Sequence, residues 1–185
     1  MSSILSILFP WVLPLLSLAA FLLPQTYAAL VNVTVDDAHP DPLTGISITY
    51  APLNAWTLDS DCSTCVATPD GSQAYMGTWH DTTYLPEVGT VLSATFQFNG
   101  SALYVYCITA QSTSAPDGNS DMLFFLDGEP AGSYEHIAPG EPTYDYNVPV
   151  YSNPSIAPGF HTFVLQNGQT GGQASLALLD YIVYS

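Results

Sequence analysis

The chain has 185 residues, 48% of them hydrophobic, and sets no lysine or arginine against 16 aspartates and glutamates, a formal charge of −16. With no side chain to neutralise phosphate, nucleic acid is excluded as a direct electrostatic partner, and anionic membrane surfaces are disfavoured. Each carboxylate must be solvated, hydrogen-bonded, paired with one of the four histidines, or bound to a metal cation.

The first element is apolar. Residues 4–23 hold no charged side chain, Pro10, Pro14 and Pro24 interrupt or follow the run, and Thr26 and Ala28 put small residues at −3 and −1 of a cut after Ala28. This is the layout of a secretory leader, a hydrophobic signal helix over residues 1–28 that is removed on export. The competing reading is an uncleaved membrane anchor, because the start of the chain lacks a basic residue. Residues 29–185 are then one domain, long enough to bury a core, with no second apolar run of spanning length. Asn32-Val33-Thr34 and Asn99-Gly100-Ser101 are glycosylation sequons, Asn32 and Asn99 being the acceptors.

Beyond the leader no segment carries a helical period, and alternation of period two dominates. Short strands are expected at 31–35 and 46–50. Segment 51–72 is rich in Pro, Asp, Ser and Thr and reads as loop. Within it, Cys62 and Cys65 are spaced for a local disulfide, a redox pair or half a zinc site, the disulfide being the simplest in an exported chain. Next, Leu92, Ala94, Phe96 and Phe98 alternate with polar residues, then Asn99-Gly100, then Leu103, Val105 and Cys107 alternate with tyrosines. This predicts a hairpin over 91–109, with Cys107 as a buried free thiol. Segment 110–120 reads as loop. Strands follow at 122–126, ending at Asp127-Gly128, at 144–151, broken by Pro149, at 160–166, ending at Asn167-Gly168, and at 174–184, apolar on both faces as a central strand is. Closely spaced strands with Gly and Pro turns predict an all-β sandwich or jelly roll.

Two clusters carry candidate chemistry. Trp79 lies in Gly77-Thr78-Trp79-His80-Asp81-Thr82-Thr83, where an indole face beside His80, Asp81 and Thr82 suits a sugar; Trp56 poses the same choice. The other reading makes both tryptophans core. Asp36 and Asp37 follow the first strand and Asp180 lies in the last, so adjacent terminal strands could gather them around a calcium ion. No catalytic serine elbow or zinc-protease motif is present, and 16 acids do not single out a glycosidase pair.

In order, Val35-Asp36-Asp37, residues 46–50, Trp56, Cys62 with Cys65, Gly77 to Thr82, Phe96 to Gly100, and Leu178-Leu179-Asp180-Tyr181-Ile182-Val183-Tyr184 carry a resemblance. The sequence over residues 31–185 resembles the ectodomains of basidiomycete fungal secreted and single-pass surface proteins, a group without a general activity. The resemblance implies a galactose-binding-like jelly-roll β-sandwich in an extracellular setting. It also places Asp180 where related carbohydrate-binding modules hold a structural calcium. Unlike those ectodomains, this sequence stops after the closing strand, which implies either a soluble secreted form or a truncated member of a membrane-anchored group. The functional expectation is a non-enzymatic extracellular module binding glycan at or near a fungal cell wall. The alternatives are an interaction ectodomain without a small ligand, and a secreted hydrolase. Oligomeric state is not specified by the sequence.

Overall fold

The computed structural model describes residues 31–58, 62 and 65–185. The expected leader, 1–28, lies outside them. Eleven strands form in chain order: β1 Val33–Asp36, β2 Thr49–Ala51, β3 Thr57–Leu58, β4 His80–Tyr84, β5 Leu92–Gly100, β6 Leu103–Ala110, β7 Ser120–Leu126, β8 Glu129–His136, β9 Tyr144–Asn153, β10 Gly159–Asn167 and β11 Ser175–Tyr184. They build two antiparallel sheets. The six-stranded sheet runs β3-β4-β11-β6-β9, with β1 also pairing β11, and the five-stranded sheet runs β2-β5-β10-β7-β8. The fold is the expected all-β sandwich. None of the described residues forms a helix long and apolar enough to cross a membrane.

The core follows from the alternation. Phe96 and Phe98 of β5, Leu103, Val105 and Cys107 of β6, Phe124 of β7, and Phe163 and Leu165 of β10 meet between the sheets, each at most 1% exposed. A smaller cluster of Ala67, Trp79, Ile108, Ala110, Leu176 and Leu178 lies on the outer face of the six-stranded sheet, beneath the segment that precedes β4. Hence β11 is buried on both faces, as its double-sided apolar pattern predicts. Cys62 and Cys65 form the local disulfide, and Cys107 is a buried free thiol.

The 91–109 hairpin is corrected. Both strands exist, but β5 pairs with β2 and β10 while β6 pairs with β9 and β11, so the chain crosses from one sheet to the other. Alternation places the apolar side of each strand on the core, and an arch between sheets satisfies that as well as a hairpin does. The crossing is held by the C-terminal carbonyl, since the Ser101 and Ala102 N–H groups both donate to Ser185 O. The true hairpin is β7–β8, turning at Asp127-Gly128 with both residues at positive φ, 53° and 86°. Its second strand, β8, is half or fully exposed along its whole length and shows no apolar alternation to read.

Candidate functional site

Asp180 stands where β11 changes partners. On one edge β4 pairs with Ser175–Leu179 and β1 takes over at Tyr181. On the other, Leu179 faces Cys107 and Tyr181 faces Tyr106, leaving Asp180 as the extra residue of a bulge. The bulge admits a carboxylate into a strand that is otherwise apolar. Asp37 N–H donates to Asp180 O at 3.0 Å, bringing the three expected aspartates to one place. All are buried, at 3%, 3% and 0% exposure for Asp36, Asp37 and Asp180.

Their oxygens are engaged by neighbours. His39 Nδ1 lies 2.5 Å from Asp36 Oδ1, and His80 Nδ1 lies 2.6 Å from Asp37 Oδ2. Thr78 Oγ1 reaches both carboxylates, at 3.2 Å from Asp36 Oδ2 and 2.9 Å from Asp37 Oδ1. Tyr75 N–H donates to Asp180 Oδ1 at 2.9 Å, while Asp180 Oδ2 is buried without a hydrogen-bond partner among the described residues. Burial pushes the Asp180 carboxyl up to about 7, with the charges of Asp37 and Asp36 adding to it and the Tyr75 N–H opposing. Burial likewise raises Asp37 against the hydrogen bond from His80. Calcium needs several oxygens converging at 2.3–2.6 Å. Among the described residues no group of three or more His, Cys, Asp or Glu side chains is placed to hold a metal ion. As arranged, the cluster suits protons and hydrogen bonds better than a calcium shell.

The polar–aromatic motif divides along β4. Trp79 is 2% exposed in the outer-face cluster and Trp56 is 7% exposed in the main core, so neither indole offers an open face to a sugar. Alternation then turns His80 and Thr82 inward. His80 stacks on Tyr50 at 4.0 Å, and the Thr82 hydroxyl donates to Ala55 O at 2.7 Å. Of the five residues, Asp81 lines an open depression, together with the next outward residue, Thr83.

That depression is part of a groove the sequence did not reveal. Three adjoining cavities, the largest about 350 Å³, all share Val66 and Pro116. Asp81 and Thr83 of β4 and Leu176 of β11 line one end. One wall is the segment after Cys65, tied to β9 by Thr68 N–H donating to Tyr144 Oη at 2.9 Å and Asp70 N–H to Tyr146 Oη at 2.6 Å. The other wall is 112–117, closed on itself by Ser112 Oγ donating to Pro116 O at 2.7 Å and Gly118 N–H to Ser112 O at 2.9 Å. No histidine is among the residues lining these cavities. The walls lie about fifty residues apart in the chain, so no local motif could have announced them.

No protein-family model matches the sequence, and no curated protein matches it. Solved structures do resemble the fold. An exo-beta-1,3-galactanase from Phanerochaete chrysosporium is 16% identical, with 86% of this chain and 30% of that one covered and a TM-score of 0.49. A family 35 carbohydrate binding module from Clostridium thermocellum is 10% identical over 83% of this chain and 97% of that one, TM-score 0.47. A family two carbohydrate esterase from Clostridium thermocellum, in complex with cellohexaose, is 17% identical over 56% and 26%, TM-score 0.36. The chain thus spans less than a third of either enzyme's length. At these similarities none of them assigns a ligand to this chain.

Proposed function

We propose that the chain is an exported, non-enzymatic module whose outer groove binds a neutral, hydroxyl-rich ligand, with a cell-wall carbohydrate as the class that fits. The observation that carries this is the lining. Val66, Pro116 and Leu176 give apolar contact, and Asp81, Thr83 and Ser114 give acceptors and donors for hydroxyl groups. A few polar groups on an apolar ground are what ligand sites use to fix orientation. With no lysine or arginine anywhere in the chain, an anionic ligand has no counter-charge. Export through residues 1–28 and a fungal wall as the setting agree with the leader pattern and with the resemblance to fungal surface ectodomains.

The test is a glycan array together with pull-down on insoluble wall polysaccharides. The native protein is expected to bind a neutral glycan. Val66→Trp, which fills the groove from a residue 57% exposed, is expected to abolish that binding with an unchanged melting temperature. Asp81→Asn is expected to weaken it about tenfold, the loss of one charge-assisted hydrogen bond. Binding that survives Val66→Trp moves the site elsewhere. No binding to any glycan leaves an interaction ectodomain without a small ligand.

A further inference from the structure

Phe160 is the one described phenylalanine or tryptophan left exposed, at 61%. It stands in β10 directly across from Asn99 of β5, and paired residues of an antiparallel ladder share a face with Cβ atoms about 4.5–5.5 Å apart. Phe98 and His161, their chain neighbours, are buried, so Asn99 and Phe160 point outward together. Neither neighbouring strand of the sheet extends beside this pair, and the row inward on the same face is Gln97 opposite Thr162. β2 pairs with β5 only over Ser93 to Thr95, and β7 pairs with β10 only from Phe163 onward. The next row out is Gly100 opposite Gly159, which has no side chains. Asn99 is exposed, its side chain makes no hydrogen bond to any described residue, and it opens the sequon Asn99-Gly100-Ser101.

We propose that Asn99 carries an N-linked glycan whose first N-acetylglucosamine lies on the ring of Phe160. The proposal rests on the reading that the chain is exported. In the transfer, the Asn99 amide nitrogen bonds to C1 of the sugar. The bond from C1 to the pyrophosphate of a lipid-linked oligosaccharide donor breaks, and the amide proton leaves with the lipid pyrophosphate. The aromatic face then covers the C–H face of the sugar, and both lose apolar surface to water. A ring in this position has a partner in the glycosylated protein that the bare chain does not supply. Asn32 is the internal contrast. It is also an exposed sequon asparagine, but it lies just before β1, which pairs with β11 in the other sheet and has no pairing with β5 or β10.

The experiment uses the full chain behind a yeast export leader, so that export does not depend on residues 1–28. Peptide mass spectrometry reads occupancy at Asn99, and melting temperatures are compared for the native chain, Phe160→Ala, Asn99→Gln and the double variant. Occupancy is expected, with Phe160→Ala lowering the melting temperature by several degrees in the glycosylated chain and leaving the Asn99→Gln chain unchanged. Trimming to a single N-acetylglucosamine is expected to preserve this coupling. Phe160→Tyr is expected to keep it, and Asn32→Gln to show none. An unmodified Asn99 in the exported protein overturns the proposal. So does a Phe160→Ala effect of the same size with and without the glycan. The same chain with only its own first 28 residues reads export separately, and its retention in the cell leaves this result standing.

Discussion

Asp180 shows how one residue can be tolerated and still costly. Its Oδ1 is satisfied by Tyr75 N–H, while Oδ2 is buried, without a partner among the described residues, near two other carboxylates. The folded carboxyl is raised from 3.8 to about 7, so the fold favours its neutral form. A group raised in this way contributes stability that is fully present below its unfolded value and is lost as pH rises through the folded one. Asp180→Asn removes the charge but keeps an acceptor for Tyr75 N–H. The variant is expected to melt higher than the native protein at pH 8 and nearly level with it at about pH 3.5, by calorimetry. Equal shifts at both pH values would show that packing and not charge governs the site. If instead a cation neutralises these carboxylates, calcium raises the native melting temperature at pH 8 and the Asn variant loses that response. The expected result is no response to calcium. The meeting of Asp36 and Asp37 with Asp180 could be read from their places in the first and last strands. Their engagement by His39, Thr78 and His80 could not, because it depends on a bulge and on a loop laid over β11.

At the scale of elements, period-two patterns located strands well and partners poorly. Core-facing alternation locates β5 and β6, and apolar runs bounded by turns locate β7, β10 and β11, yet neither pattern says whether consecutive strands share a sheet. That is why 91–109 reads as a hairpin and folds as an arch. Strands outside the core carry no such pattern. β8 packs only the half-buried Ala131 and Tyr134 against the core, β3 has two residues, and β4 was hidden in a motif that looked like a ligand site. In that motif Trp79 precedes a strand whose alternation dictates burial, so the second reading of the indole, as core, is the one the packing supports. Turns are read with more success where backbone conformation demands a residue. Gly168, after β10, has φ +76°, and a Cβ there would fall 2.0 Å from Cγ of the buried Tyr84. Gly168→Ala therefore forces Tyr84 out of the core as well as straining the turn. The expected loss is at least the upper end of the about 1–3 kcal/mol typical of overpacking, read by urea denaturation. A loss below about 1 kcal/mol would mean that the β10–β11 connection yields without disturbing β4.

The molecule as a whole has a sign to its charge that no part of it offsets. Among the described residues the ion pairs are all His–Asp: His39 with Asp36, His80 with Asp37, and His161 with Asp127. In the last, His161 Nδ1 meets a carboxylate at 2.7 Å and Nε2 meets the Ala157 carbonyl at 2.7 Å. Both partners accept, so the site favours the doubly protonated ring, which donates to each. The Asp127 hydrogen bond accordingly holds its pKa above 6.5, with burial opposing. This stability is fully present below the unfolded value and lost as pH rises through the folded one. Raised Asp37 and Asp180 act in the same direction. Against them stand Asp41, Asp70 and Asp127. In Asp41 backbone and side-chain hydrogen bonds outweigh burial, in Asp70 those from Ser72 act, and in Asp127 that with His161 acts. Their lowered carboxyls stabilise above 3.8 and fail as pH falls below it. The two sets bound a dome, with the highest melting temperature expected at about pH 4 and a fall toward both pH 8 and pH 2. General repulsion among the carboxylates adds a salt dependence of its own. At pH 8, raising sodium chloride from about 0.01 to 0.15 M shortens the screening length from about 30 to 8 Å, and the melting temperature is expected to rise. At pH 5 the same salt step is expected to do less, because screening also weakens the His161–Asp127 attraction that is then in force. A melting temperature that ignores both pH and salt would mean that hydrogen bonds and solvation have already dissipated the repulsion of a chain without lysine or arginine.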